Sequence, residues 1–211
     1  TQNQAFSAIL FLYKQVLKRE LNWLDTIVRA KRSPRLPTVL TVRETRNLLS
    51  RLSGTNGLIA ELLYGTGMRL MECLRLRVKD VEFEHRQITV RGGKGDKDRV
   101  TVLPERTIPA LRRQMEHARR LHELDLREGF GEVQLPFALA RKYPNAGREW
   151  GWQFVLASKS RSADPRSGVV RRHHVYEKNV QRALKQAARN MGLGKPVSSH
   201  TLRHSFATHL L

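Results

Sequence analysis

The sequence predicts an α+β fold, mainly helical, with one small three-stranded antiparallel sheet. Apolar residues recur at helical spacing through most of the chain, and only between Val81 and Val102 does the period switch to two. The glycine-rich run Gly92-Gly93-Lys94-Gly95-Asp96-Lys97-Asp98 joins the last two of those short segments and reads as a tight hairpin loop.

Residues 3–20 read as the first helix, with Ala5, Ile9, Leu12 and Val16 on one face and Phe6, Leu10, Tyr13 and Leu17 widening it. So broad an apolar face with so little chain before it is expected of the last helix of a separate all-α domain, assigned to residues 1–28. Residues 29–40 form a basic, proline-containing linker in which Lys31, Arg32 and Arg35 are candidates to follow a polyanion backbone. A larger domain is expected over 41–211. Its first helix starts at a capping box, Thr41-Val42-Arg43-Glu44, and should run from about 42 to 52. A second helix through Leu58, Ile59, Leu62 and Leu63 ends at Gly65-Thr66-Gly67, and Arg69 opens a short third helix with Leu70, Met71 and Leu74. Val81 and Phe83, Ile88 and Val90, and Val100 and Val102 mark the three strands. Pro109 suits the first turn of a long helix carrying Leu111, Met115, Ala118 and Leu121.

The pattern then breaks. An irregular insertion is expected at about 129–156, punctuated by Gly129, Gly131, Pro136, Pro144 and Gly147 and crowded with Tyr143, Trp150, Trp152 and Phe154. Residues 158–172 are polar and basic, and a helix from about 174 to 191 follows. The last helix is expected to be capped by Ser199 and to begin at His200. At about 100° per residue, His200, Arg203, His204 and Ala207 share one face, while Leu202, Phe206 and Leu210 point away from it.

A net charge of +20 and a pI near 11.2 destabilise a compact chain by self-repulsion unless a polyanion is the partner, and nucleic acid is the expected one. No apolar run approaches the ~18 residues of a membrane span, so no membrane partner is expected. The single cysteine, Cys73, excludes an internal disulfide, fits a reducing compartment and reads as core among Leu70, Met71 and Leu74. The expected location is the bacterial cytoplasm, on the nucleoid.

Taken singly, the candidate site residues also admit plain readings. Arg69, after a Gly-Thr-Gly turn, can aim its fork at a phosphate or be a surface arginine; Glu72 can orient it or form a surface pair. Lys94 can reach into a groove as a general acid or be a solvated turn lysine, with Lys97 a rival three residues on. His200 and His204 have the spacing of two zinc ligands. Yet Thr201 stands where a metalloprotease carries its glutamate, and Arg203 would set a positive charge beside the metal, so no metal and no cofactor is expected.

The combination is far more specific. Gly65-Thr-Gly-Met-Arg69-Leu-Met-Glu72, then Gly93-Lys94-Gly95, then His200-Thr-Leu-Arg203-His204-Ser-Phe-Ala-Thr-His-Leu-Leu resembles the tyrosine recombinase (phage integrase) family over residues 38–211. The resemblance implies that 41–211 form its catalytic domain and 1–28 the end of its core-binding domain. It also implies that Arg69, Lys94, His200 and Arg203 surround one scissile phosphate. In that family a tyrosine hydroxyl attacks the phosphodiester without metal or nucleotide. Tyr13, Tyr64, Tyr143 and Tyr176 match no nucleophile motif, and a further His or Trp site is expected beyond Leu211 along with the nucleophile. The chain as given is therefore expected to bind DNA and not cleave it; a non-catalytic DNA-binding relic is the alternative. The run Ala140-Arg-Lys-Tyr143-Pro144-Asn145-Ala146-Gly147-Arg-Glu-Trp150-Gly-Trp152-Gln153-Phe154, the linker and the pair His173-His174 resemble integron integrases within that family. That resemblance implies recognition of folded single-stranded hairpin sites, as well as duplex sites, with Trp150, Trp152, His173 and His174 at unpaired bases. At least one of Trp150, Trp152 and Phe154 is expected to pack locally instead. A tetramer is implied for the synaptic complex of the intact protein.

Overall fold

The structure, a computed structural model, describes residues 2–19, 36–93, 95, 97–135, 139–165 and 167–211. Lys31, Arg32, Arg35 and Lys94 thus lie outside the described residues. Two compact units are present, Thr1–Leu36 and Pro37–Leu211. In the first, α1 (Gln2–Phe11) runs on into a wider π-helical turn over Leu12–Val16. It stops short of residue 20 because Lys18 adopts φ +51, in the left-handed region where a helix of L-residues does not continue.

The second unit begins with α2 (Val42–Ser50). The Thr41 side chain accepts from the Glu44 amide at 3.1 Å and Glu44 Oε2 accepts from the Thr41 amide at 2.7 Å, the reciprocal capping box read from the sequence. Next comes α3 (Gly54–Thr66), apolar almost all round, with Leu58, Ile59, Ala60, Leu62 and Leu63 buried. A helix with no solvated face needs partners on several sides. Accordingly α3 packs against α2, α4 (Leu70–Leu74), α5 (Ile108–Arg127) and, past a short α6 (Leu139–Lys142) in the insertion, α7 (Glu177–Asn190) and α8 (Ser199–His209). Pro109 sits in the first turn of α5, where its missing N–H costs no hydrogen bond. Burial pushes the Cys73 thiol up to about 12, as befits a core residue.

The sheet is antiparallel in the order β1 (Val81–Glu82), β2 (Gln87–Val90), β3 (Arg99–Val102). Ile88 and Val90 face the core. On β3 the polarity is inverted: Val100 and Val102 are exposed, while Arg99 and Thr101 are half-buried. Thr101 donates to the Thr66 carbonyl at 3.1 Å, and Arg99 meets a buried carboxylate. The inward side of this strand is therefore polar by construction.

The insertion holds a second small core of Val133, Leu135, Ala146 and Phe154, with Leu139 and Trp152 packed against it. Gln153 ties its turns together, its side-chain amide donating to the carbonyls of Gly131, Gly147 and Glu149. Beyond it the polar stretch forms an unanticipated hairpin, β4 (Ser162–Ala163) with β5 (Val170–Arg171). Ion pairs rather than apolar alternation hold it. Arg172 grips Asp125 of α5 through two bonds of 2.6 and 2.7 Å, Arg161 reaches Glu128 at 2.6 Å, and Arg171 reaches Glu132 at 2.6 Å.

Helix α8 starts one residue earlier than expected, with Ser198 as its extended N-cap. The Ser199 hydroxyl is taken by Gln181 of α7, which donates to it at 2.9 Å. Ser198 is thereby left to cap the helix, its amide donating to Thr201 Oγ1 at 3.1 Å.

Candidate active site

Two stretches far apart in sequence meet at the turn after α3. Gly67 caps α3 in the left-handed region, φ +63, and its carbonyl accepts a hydrogen bond from Arg203 Nη1 of α8. Two residues on, Arg69 is extended at the head of α4, near enough for its charge to act on Arg203. Glu72 fixes it: Glu72 Oε2 accepts from the Arg69 amide at 2.8 Å and Oε1 from Arg69 Nη1 at 2.7 Å. The Glu72 side chain is only 8% exposed, which rules out the plain surface-pair reading.

The same carboxylate binds a second arginine. Arg99 of β3 donates from Nη1 to Oε1 at 3.2 Å and from Nη2 to Oε2 at 2.6 Å. Burial alone would raise the Glu72 carboxyl, but bonds from Arg99, from the Arg69 amide and from the Arg69 guanidinium hold it down at about 2. One carboxylate thus sits among three guanidiniums. Burial makes the charge on Arg203 harder to keep, and the positive charges of Arg69 and Arg99 add to that, partly offset by Glu72. An anion arriving here relieves the strain; a cation worsens it.

Helix α8 is clamped along its length. Ser205 Oγ accepts from the Leu40 amide at 2.9 Å and Phe206 lies over Gly67. His209 Nε2 lies 2.9 Å from the Leu40 carbonyl, so it must donate, and its Nδ1 then accepts from the Tyr64 hydroxyl at 2.9 Å. Arg203 therefore sits on a helix pinned just after it, at Ser205 and Phe206, and again at its end, at His209. His200 is exposed on the first turn of α8, one turn before Arg203 on the same face. Gly93, just before Lys94, is pressed against the Glu72–Arg99 pair: a Cβ there would lie 3.2 Å from Arg99 Nη1 and 3.6 Å from Glu72 Oε1. The base of the loop carrying Lys94 thus rests on the arginine cluster.

The aromatic candidates form a separate patch. Trp150 stacks on the buried ring of His122, centroids 6.0 Å apart. Phe154 is buried, with His174 edge-on at 5.4 Å. His173 is half-buried, and its carbonyl accepts from the Ser158 amide at 2.7 Å, which aligns this pair with the far end of the insertion. Burial pushes His174 below the ordinary histidine range, so its imidazole is neutral near pH 7.

Trp152 has one ring face covered by the Lys79 ammonium, 2.8 Å from the ring centroid, and Arg77 lies 5.7 Å away. Arg77 also donates to the carbonyls of Trp152 at 2.5 Å and Gln134 at 2.9 Å, with its guanidinium 4.6 Å from the Phe154 ring centre. Residues 76–78 bond to 153–155 through amide–carbonyl pairs of 3.0 Å, Val78 to Gln153 and Val155 to Leu76. The insertion is thereby fixed to the segment directly after α4. Arg77→Met is expected to lower stability by about 2 kcal/mol, because two carbonyls lose a charged donor. Urea unfolding followed by tryptophan fluorescence measures it; a change below about 0.5 kcal/mol would show the clamp to be idle.

Sequence reasoning singled out Arg69, Glu72, His200 and Arg203 and missed Arg99, Arg77 and Lys79. The missed residues act through contacts formed only by the tertiary fold. Among the described residues, no group of three or more His, Cys, Asp or Glu is placed to hold a metal, and no helix is long and apolar enough to cross a membrane.

Residues 38–211 match the sequence profile of the Phage integrase family. An "Integrase/recombinase" of Escherichia coli is 53% identical over 211 residues, all of this chain and 63% of that protein. Tyrosine recombinase XerA of Pyrococcus furiosus is 31% identical over 179 residues, 83% of this chain and 49% of the relative. A crystal structure of XerA recombinase superposes with a TM-score of 0.54 at 26% identity, covering 99% of this chain and 61% of that one. The chain therefore spans about half to two-thirds of the length of the relatives it matches.

Proposed function

The chain belongs to the phage integrase family, whose profile spans residues 38–211, and on that premise we propose that it is the phosphate-binding and catalytic part of a site-specific DNA recombinase of integron type. The observation that carries this reading is the meeting of Arg69 and Arg203 at Gly67, with Glu72 orienting Arg69. Fixed guanidiniums half open to solvent stabilise the charge that develops on a pentacovalent phosphorus, and they do so without reorganising. The strongly positive chain supplies the long-range attraction.

In this reading a tyrosine hydroxyl attacks the phosphodiester, a 3′-phosphotyrosyl bond forms and a 5′-hydroxyl leaves. Arg69 and Arg203 hold the non-bridging oxygens, Lys94 protonates the leaving oxygen, and His200 assists proton transfer or donates to a phosphate oxygen. None of Tyr13, Tyr64, Tyr143 and Tyr176 is assigned as nucleophile, so this stretch on its own binds DNA without cutting it. Residues 1–28 belong to a core-binding domain, 29–40 to a linker along the DNA, and four protomers assemble in the synaptic complex. The patch around Trp150, His173 and His174 takes extrahelical bases of a folded single-stranded site; Trp152, capped on one face by Lys79, serves it as a support.

A salt-controlled binding competition tests the reading. A single-stranded hairpin with bulged bases should bind about tenfold tighter than the same hairpin with the bulges deleted, because stacking contributes roughly 1–3 kcal/mol per base. Affinity for both should fall by roughly 10³–10⁵ between 50 and 200 mM salt if ~6–10 phosphates are neutralised. Equal binding of the two hairpins would remove the integron assignment and leave a recombinase that reads duplex. Affinity indifferent to salt would remove the DNA-binding reading altogether.

A further inference from the structure

Arg99 is placed like a site residue, although nothing in its sequence context marks it. It opens β3, its side chain lies on the inward side of the strand, and it shares Glu72 with Arg69. The two arginines are equally open, with side chains 37% exposed for Arg69 and 36% for Arg99. Both reach Glu72, Arg69 through Nη1 alone and Arg99 through Nη1 and Nη2, and both keep further N–H donors for a ligand. A guanidinium carries five N–H donors, and the two bonds from Arg99 to Glu72 leave three.

Charge bookkeeping points the same way. Glu72 neutralises one of the three guanidiniums gathered here, which leaves two positive charges for a ligand. A structural arginine needs only its carboxylate and gains nothing from standing beside two others. Gly93 adds a steric argument, since a Cβ there would lie 2.9 Å from the Lys97 carbonyl oxygen, 3.2 Å from Arg99 Nη1 and 3.6 Å from Glu72 Oε1. Gly93, at the base of the loop, thus lies against both Arg99 and Glu72.

We propose that Arg99 is a third phosphate-binding arginine of this site, donating to a non-bridging oxygen of the same DNA phosphodiester that Arg69 and Arg203 hold. This rests on the reading of the arginine cluster as a DNA phosphate site. Glu72 then acts as a template that spaces two forks for one anion. The tendency of Arg69 and Arg99 to make the charge on Arg203 harder to keep is what a site awaiting an anion shows.

The test uses neutral methylphosphonate linkages, moved one at a time through a DNA site, with binding of this chain followed by fluorescence anisotropy. One linkage should cost the wild-type chain the most. On unmodified DNA, Arg99→Gln should bind about tenfold weaker, the scale of one charge-assisted hydrogen bond at a part-exposed site. On DNA neutralised at that linkage the same variant should bind within about twofold of wild type, because the partner of Arg99 is already gone. Arg99→Lys keeps a cation on Glu72, and hence the fold, and should show the same selectivity with a smaller loss. Equal losses on both DNAs, or no loss on either, would overturn the proposal. If Arg203→Gln is selective for the linkage and Arg99→Gln is not, Arg99 alone is refuted. If no linkage matters to the wild type and Arg203→Gln is equally flat, the phosphate-site reading falls, and the role of Arg99 with it.

Discussion

Glu72→Gln is expected to lower stability by about 2–3 kcal/mol at pH 7, and that difference should shrink to less than about half its size by pH 3. The carboxylate is 8% exposed and takes four bonds from Arg69 and Arg99. Glutamine is isosteric but presents an NH₂ among donors and leaves the guanidiniums repelling one another. Removing one partner of such a buried pair costs about 3–5 kcal/mol when everything is buried; the arginines here are about a third exposed, so solvent screens part of that. The sign in pH follows from the depressed carboxyl, at about 2 against an ordinary 4.5. A group whose folded pKa is lowered stabilises fully above its unfolded value, and that stabilisation is lost as pH falls from about 4.5 towards 2. Urea unfolding of both proteins across pH 7 to 3 measures the gap. A gap that stays constant with pH would mean that shape and not charge accounts for Glu72.

The parts of this fold legible in the sequence are those fixed by neighbours in the chain. Thr41 and Glu44 announce α2 because both halves of the cap lie within one turn. Ile88 and Val90 announce β2 because a strand with one apolar face alternates. Alternation misleads at β3, where it marks Val100 and Val102 and the chain turns them outward. The inward places go to Arg99 and Thr101, whose partners Glu72 and the Thr66 carbonyl lie 27 and 35 residues away. The β4–β5 hairpin is silent for the same reason: Asp125, 47 residues before Arg172, is what holds it. For the site, Arg69 and Arg203 are marked by the combination of motifs that resembles the phage integrase family, not by either residue's surroundings in the chain. What the pattern does not contain is the means of alignment. Gly67 reads as a helix stop, and nothing local says that its carbonyl receives Arg203 across 136 residues.

Gly67 therefore gives the sharpest test of how the two arginines are aligned. Gly67→Ala is expected to lower the melting temperature by about 5–10 °C, or about 2–3 kcal/mol for a unit of this size. Two separable terms contribute. An alanine at φ +63 costs about 1 kcal/mol in backbone strain. Its Cβ would also lie 2.6 Å from Phe206 Cδ1 and 2.7 Å from Cε1, a clash that one side must relieve by moving. Phe206 sits on α8, three residues after Arg203, and α8 is pinned further along by the bonds of His209 to Tyr64 and Leu40. A helix held there cannot slide freely, so the relief falls on the turn and breaks the Arg203 bond to the Gly67 carbonyl. Adding Phe206→Ala removes the clash and leaves the strain. The double variant should then be more stable than the sum of the two single losses by at least about 1 kcal/mol. It should also regain most of the DNA affinity that Gly67→Ala loses, since Arg203 can return to its carbonyl. Simple additivity, with affinity unrestored, would show that the backbone conformation of Gly67 alone matters and that α8 is positioned from elsewhere.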